Sequence, residues 1–257
     1  MGRNELPIAV FDSGLGGLSV LRALMRRLPC ERFLYYGDSA NAPYGSRRTD
    51  EVRELTLRAI SRISEAPGCK AIVVACNTAT SAAIGELRRR YSDRPVIGIE
   101  PALKPAVDRH PGGTVLVLGT ETTLREEKFA GLMRSCVGRC GVIPVPCPGL
   151  MEFVERGELD SPALRRYLKE RLAPHPAPDA VVLGCTHYPF LTPVLRAVLP
   201  QGVEILDGSD GTARETARRL AEGGLLRASG EGSLTLQNSS PDPALQALAE
   251  RLLTLPL

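Results

Sequence analysis

Two cysteines stand at matching places in the sequence, each after a short apolar run and before a stretch with helical periodicity. Cys76 follows the run Ala71–Val74, and Cys185 follows the run Ala180–Leu183. Apolar runs of this length, followed by an amphipathic stretch, indicate buried parallel strands, which places both thiols at strand carboxyl ends. Ligands of open α/β sheets bind at that edge. We therefore expect the two thiols to act on one substrate from two sides.

The two cysteines belong to a longer internal repeat. The strand Ile8–Asp12 and the helical stretch after it resemble Thr114–Thr120 and the stretch that follows, at nearly the same separation as the cysteines. Alternating strand and helix signals predict a parallel sheet covered by helices. The predicted fold class is α/β, with two related α/β domains, mainly parallel sheets, a pseudo-twofold relation and the active site in the inter-domain cleft.

Two segments rich in proline or glycine are predicted to connect the halves. Glu100–Pro105 leads into the second half, and Asp207–Gly211 leads back to the first. A final helix is expected after Pro243, packed on the first domain. The predicted limits are 1–103 plus 210–257 for the first domain and 104–209 for the second.

Composition narrows the functional classes. The chain has 257 residues, 43% of them apolar, so it can bury a large core, and we expect a globular cytoplasmic protein with no membrane segment and no signal peptide. A net charge of +3 and only 4% aromatic residues disfavour nucleic-acid binding. Seven cysteines, an odd number without regular spacing, fit free thiols. Neither a metal site nor a cofactor is expected.

The loop Asp12–Gly17 follows a strand and opens a helix, where backbone amides can hold an anion. A dinucleotide site is disfavoured, because Ser19 occupies the third glycine position and Asp12 would oppose a pyrophosphate. The carboxylate of Asp12 is better placed beside an ammonium group of a small ligand or beside a thiol.

Three further segments have both a structural and a functional interpretation. The loop Tyr36–Gly45 is either a simple turn or a set of ligand contacts. Thr120–Thr123 either caps a helix or donates hydrogen bonds to a carboxylate. His187, two residues after Cys185, is either structural or the proton partner of that thiol.

Together these segments resemble the glutamate racemases of the aspartate/glutamate racemase superfamily, cofactor-independent bacterial enzymes that supply D-glutamate for peptidoglycan. The similarity covers most of the chain. The matching segments are Phe11–Gly17, Gly37–Asp38 with Pro43–Gly45, Ala75–Ala79, Gly119–Thr120 with Thr123, and Leu183–Pro189.

The resemblance implies roles for individual residues. Cys76 and Cys185 would be the two acid/base residues, assisted by Asp12, His187 and Glu155. The residues expected to contact the amino acid are Asp12, Ser13, Tyr44, Gly45, Asn77, Thr78, Thr120, Thr123, Thr186 and His187. The resemblance also implies a homodimer with glutamate as its small-molecule substrate.

Alternatives remain at this point. Glu152 stands where the family usually has an uncharged residue, so either Glu152 or Glu155 could support His187. The substrate could be aspartate, a hydantoin or maleate, as in other members of the superfamily. A two-lobed amino-acid-binding protein without catalysis is the alternative from another class, although two positioned thiols are hard to explain in a pure binder.

Overall fold

In a computed structural model of the chain, which describes residues 2–65, 68–125 and 127–255, the strands form two separate sheets. The strands are β1 (Ile8–Asp12), β2 (Arg32–Gly37), β3 (Ala71–Val74), β4 (Val96–Gly98), β5 (Thr114–Gly119), β6 (Gly141–Pro146), β7 (Ala180–Leu183), β8 (Glu204–Asp207) and β9 (Ser233–Asn238). The helices are α1 (Leu18–Arg27), α2 (Thr49–Glu65), α3 (Asn77–Arg90), α4 (Leu103–Arg109), α5 (Glu121–Arg125), α6 (Glu127–Arg134), α7 (Leu150–Glu155), α8 (Pro162–Leu172), α9 (Thr192–Val198), α10 (Ser209–Glu222) and α11 (Pro243–Thr254).

The first sheet has five strands in the order β4-β3-β1-β2-β9, all paired in parallel. Every residue of β1 and β3 is buried. Helices cover both faces of such a sheet, which is why these strands are continuous apolar runs instead of alternating ones.

The second sheet has four parallel strands in the order β6-β5-β7-β8. The same order relates β2, β1, β3 and β4 of the first sheet, so each half repeats one arrangement. The α/β class with two parallel sheets is confirmed. The exact domain limits, 1–103 plus 210–257 and 104–209, stay a prediction.

The chain returns to the first sheet near its end. β9 pairs with β2 in parallel, an edge strand that the sequence did not predict. The final helix, α11, packs against α1, and the Arg22 side chain of α1 donates hydrogen bonds to the carbonyls of Leu252 and Leu255. These bonds satisfy carbonyl groups that the end of a helix leaves open.

No helix in the described part of the chain combines the length and the apolar character needed to cross a membrane.

Candidate active site

The two cysteines at the strand ends face one cavity. Cys76 lies between β3 and α3, and Cys185 lies just after β7 in the other sheet. Both thiols line a narrow cavity between the two halves, with free space of about 10 Å³, close to that of one water molecule. Two larger cavities, of about 300 and 600 Å³, are lined by no cysteine. Chemistry that needs both thiols is therefore assigned to the smaller cavity.

Most of the residues expected at the site line this cavity. The expected ones are Ser13, Gly45, Cys76, Asn77, Thr78, Thr120, Thr123, Cys185, Thr186 and His187. Asp12 and Glu155 lie behind that wall and reach it through hydrogen bonds to Thr186 and His187. Tyr44 does not line the cavity either; it precedes Gly45 of the wall, and its hydroxyl donates to Asp38. Met151 and Gly184 also line the cavity and were not expected. Met151 lies four residues before Glu155, so helical spacing on α7 was the signal that could have found it.

Cys76 is the N-cap residue of α3. Its sulfur accepts a hydrogen bond from the amide of Ala79 and lies 3.4 Å from the hydroxyl oxygen of Ser13. Burial, together with the nearby carboxyl of Asp12, raises the pKa of the Cys76 thiol to about 12, although the two hydrogen bonds lower it. This thiol is therefore protonated at neutral pH in the structure.

Asp12 is fully buried and joins the two halves. Its carboxylate accepts hydrogen bonds from the amide of Gly14, at 2.8 Å, and from the hydroxyl of Thr186, at 3.2 Å. Burial raises the pKa of Asp12, while the charge of His187 and the backbone amides oppose that rise. The carboxylate thus fixes the glycine loop against the segment that carries Cys185.

Cys185 is the first of three side chains linked in a row by hydrogen bonds, followed by His187 and Glu155. Nδ1 of His187 is 3.6 Å from the sulfur of Cys185, and Nε2 of His187 is 2.7 Å from Oε1 of Glu155. Glu155 also accepts a hydrogen bond from the amide of Leu15, at 3.0 Å. Glu155, and not Glu152, therefore contacts His187.

His187 and Glu155 each favour the charged form of the other. Burial works against the charged form of His187, but Cys185 and Glu155 outweigh it and hold the pKa of His187 well above its ordinary value of 6.5. Burial likewise opposes ionisation of Glu155, yet His187 holds the pKa of that carboxyl below 4.5. An imidazolium beside Cys185 can give a proton to its sulfur or stabilise its thiolate.

Threonine hydroxyl groups form another part of the cavity wall. The Thr78 and Thr123 hydroxyl oxygens are 3.1 Å apart, and Thr120 donates to Thr123 at 2.9 Å. Thr120 also accepts a hydrogen bond from the amide of Thr123, as a capping residue does, while its side chain lines the cavity. The side-chain oxygen of Asn77 is buried and has no hydrogen-bond partner among the described residues. This wall can bind a carboxylate through hydroxyl donors and an ammonium through the free oxygen.

The glycine loop allows the close approach of the two halves. A side chain at Gly16 would overlap the ring of His187, and one at Gly17 would meet Asp12. The Tyr35 hydroxyl donates to the carbonyl of Gly14 at 2.8 Å and holds the loop from below. Gly16 and Gly17 are thus required by their close packing against His187 and Asp12.

An α/β protein with two thiols facing one cavity, each with its own polar partners, has the layout of a two-base isomerase. Residues 17–216 match the family model described as Asp/Glu/Hydantoin racemase, and this match covers more than half of the chain. The chain belongs to this family, and its activity is that of an amino-acid racemase.

Individual relatives agree with this assignment. The chain is 48% identical over 250 residues to a glutamate racemase of Clostridium perfringens, with 96% of each chain covered. A solved glutamate racemase of Thermus thermophilus is 41% identical, with a TM-score of 0.82, and the match covers 98% of this chain and 94% of the other. A glutamate racemase isoform of Bacillus anthracis has a TM-score of 0.89 at 31% identity, with 99% and 96% covered.

Proposed function

We propose that the protein interconverts L- and D-glutamate without a cofactor, through proton transfer at Cα between Cys76 and Cys185. The observation that carries the proposal is the position of the two thiols, which approach one cavity from the two halves of a repeated fold. The names of the similar proteins support glutamate as the substrate.

Proton transfer at Cα needs a base on one face and an acid on the other. A thiolate removes the Cα proton, the bonding electrons stay on the substrate as a carbanion, and the opposite thiol returns a proton to the other face. The first cysteine ends protonated and the second ends as thiolate. The reverse reaction uses the same groups with the roles exchanged.

The carbanion requires stabilisation, because the Cα proton of an amino acid is only weakly acidic. The hydroxyls of Thr78, Thr120 and Thr123 are suited to the substrate carboxylate, where negative charge develops. Asn77 and Ser13 are suited to the ammonium group. A substrate ammonium near Cys76 would offset the burial that keeps this thiol protonated.

On the Cys185 side, we assign the proton-handling partner to His187 and its support to Glu155. Support for this assignment is the buried chain of hydrogen bonds from Cys185 to the carboxylate. On the Cys76 side, Asp12 acts through the substrate and the glycine loop, since its hydrogen bonds go to Gly14 and Thr186.

The cellular setting belongs to the same proposal. A cytoplasmic homodimer that supplies D-glutamate for peptidoglycan fits the similarity to glutamate racemases. Sedimentation of the purified protein tests the dimer, and a monomer at micromolar concentration would contradict it.

The direct test is incubation of the reduced protein with L-glutamate and no added cofactor, followed by polarimetry. We expect the optical rotation to fall to zero, because the enantiomers have equal free energies in water. L-aspartate serves as the parallel control. Conversion of aspartate but not glutamate would show that the substrate is that of another member of the family. Binding of glutamate without conversion would reject the racemase mechanism.

A further inference from the structure

Asp38 anchors a buried network that does not face the cavity. The residue is 3% exposed, and its carboxylate accepts a hydrogen bond of 2.6 Å from the hydroxyl of Tyr44. The side-chain amide of Asn41 donates to both carboxylate oxygens, at 3.0 and 3.1 Å. The amide of Asp38 itself donates to the carbonyl of Asp12. One end of this network is thus fixed to the strand that carries Asp12.

The other end of the network reaches the second half of the protein. Gly45, next to Tyr44, lines the cavity, and its carbonyl accepts a hydrogen bond of 2.7 Å from the hydroxyl of Thr122. A side chain at Gly45 would come within 2.8 Å of Thr120. The segment Asp38–Ser46, here called the strap, therefore crosses from the first sheet to the start of α5.

We propose that Asp38 is a positioning residue, which holds the strap through Tyr44 so that the Gly45–Thr122 hydrogen bond keeps the two halves closed over the cavity. This inference rests on the proposed function, because the strap would retain the amino acid during proton transfer. Asp38 does not line the cavity, and its hydrogen bonds in the described part of the chain go to Tyr44, Asn41 and the carbonyl of Asp12. Its loss would therefore weaken substrate retention more than proton transfer.

The residues of the strap allow changes that remove one hydrogen bond and leave the packing. Tyr44→Phe removes the hydroxyl that bonds Asp38, while the ring keeps its packing against Phe11, with ring centroids 6.4 Å apart. Thr122→Val removes the hydroxyl that bonds Gly45 and keeps the shape of the side chain. Thr122→Ser keeps the hydroxyl and is the matched control.

The experiment measures KM and kcat for L-glutamate in these three variants and in Asp38→Asn. Losing one neutral hydrogen bond corresponds to about a fivefold effect. We expect Thr122→Val to raise KM by about that factor, and Tyr44→Phe, whose hydroxyl bonds the Asp38 carboxylate, to raise KM by at least as much. In both variants kcat should change less than about twofold, and Thr122→Ser should match the wild type. Because both act on the strap, the double variant should show less than the product of the two single effects.

A second measurement does not depend on turnover. Cys76 and Cys185 are 5% and 8% exposed, so the rate of their alkylation by iodoacetamide, followed by peptide mass spectrometry, reports opening of the cavity. We expect about fivefold faster alkylation in Thr122→Val and no change in Thr122→Ser.

The outcomes separate the two proposals. If the wild-type protein does not racemise glutamate, only the proposed function is rejected, because the alkylation rates of the two cysteines still test the strap. Equal alkylation rates and equal KM values in Thr122→Val and Thr122→Ser would overturn the strap. A fall in kcat at unchanged KM would also overturn it, because that result assigns the network to the chemical step. If Asp38→Asn does not fold, the Thr122 pair decides the question.

Discussion

Replacing Glu155 by glutamine removes one charge from the chain behind Cys185 and keeps the shape of that chain. Oε1 of Glu155 accepts hydrogen bonds from both the amide of Leu15 and Nε2 of His187. A glutamine whose carbonyl oxygen takes the same position keeps both contacts. The variant therefore isolates the effect of the carboxylate charge on the imidazolium.

The magnitude follows from the burial of the pair, whose side chains are 2% exposed for His187 and 17% for Glu155. Hydrogen bonds to charged groups contribute about 1.5–3 kcal/mol, against about 1 kcal/mol for neutral ones. The difference of about 0.5–2 kcal/mol predicts a fall in kcat/KM of roughly 2- to 30-fold. Losing the carboxylate charge also lowers the pKa of His187.

The pH dependence of kcat/KM shows in which direction Glu155 shifts the pKa of His187. In the wild type, the pKa of His187 is held well above 6.5, so the imidazolium persists at neutral pH. In Glu155→Gln the proton leaves at lower pH, so the alkaline limb moves to lower pH and the loss of activity grows as pH rises.

The assay is kcat/KM for L-glutamate by polarimetry between about pH 5 and 8. Glu152→Gln is the matched control, because Glu152 lies one turn earlier on α7 and makes no bond to His187 in the described chain. Its profile should coincide with that of the wild type. If Glu155→Gln also coincides with the wild type, the assignment of Glu155 is refuted.

Three further predictions concern the same site. Cys76→Ala and Cys185→Ala should each slow racemisation at least about 100-fold. Each variant should still exchange the Cα hydrogen of one enantiomer with solvent, which NMR in heavy water measures. Near-normal turnover in either variant contradicts the two-base scheme. Gly16→Ala places a methyl group against the His187 ring and should lower kcat roughly tenfold, and an unchanged kcat would show that the ring is not held there. In the folded protein the pKa of Glu155 is lowered and that of His187 is raised. The stability that their pair contributes is therefore lost when the pH falls through the folded-state pKa of Glu155, and also when the pH rises through that of His187. By calorimetry, the excess in Tm of the wild type over Glu155→Gln should be largest between pH 4.5 and 6.5, and an excess that keeps growing above pH 6.5 contradicts this.

The strands that precede the two cysteines could be predicted because a strand buried on both faces is apolar at every position. Ala71–Val74 and Ala180–Leu183 are apolar throughout, and both form fully buried central strands. The internal repeat then predicted equivalent positions for Cys76 and Cys185, and the matching strand orders explain why it did. Local pattern and overall topology agree at these elements.

Other features depend on contacts that no local pattern reveals. β9, Ser233–Asn238, is an edge strand of alternating exposure, and its partner β2 lies far away in the sequence. The partners of Asp12 could not be predicted either, because the Thr186 hydroxyl comes from the other half of the chain. For the same reason, the choice between Glu155 and Glu152 needed the position of α7 relative to His187.

The most direct test of the two-thiol account follows L-glutamate in heavy water with the wild-type protein at early conversion, by NMR at Cα and by chirality. The account predicts that the D-glutamate formed carries deuterium, because its proton comes from the thiol on the opposite face, while the remaining L-glutamate keeps its hydrogen. D-glutamate that retains the original hydrogen would show that one group moves the proton between both faces, and would contradict the account.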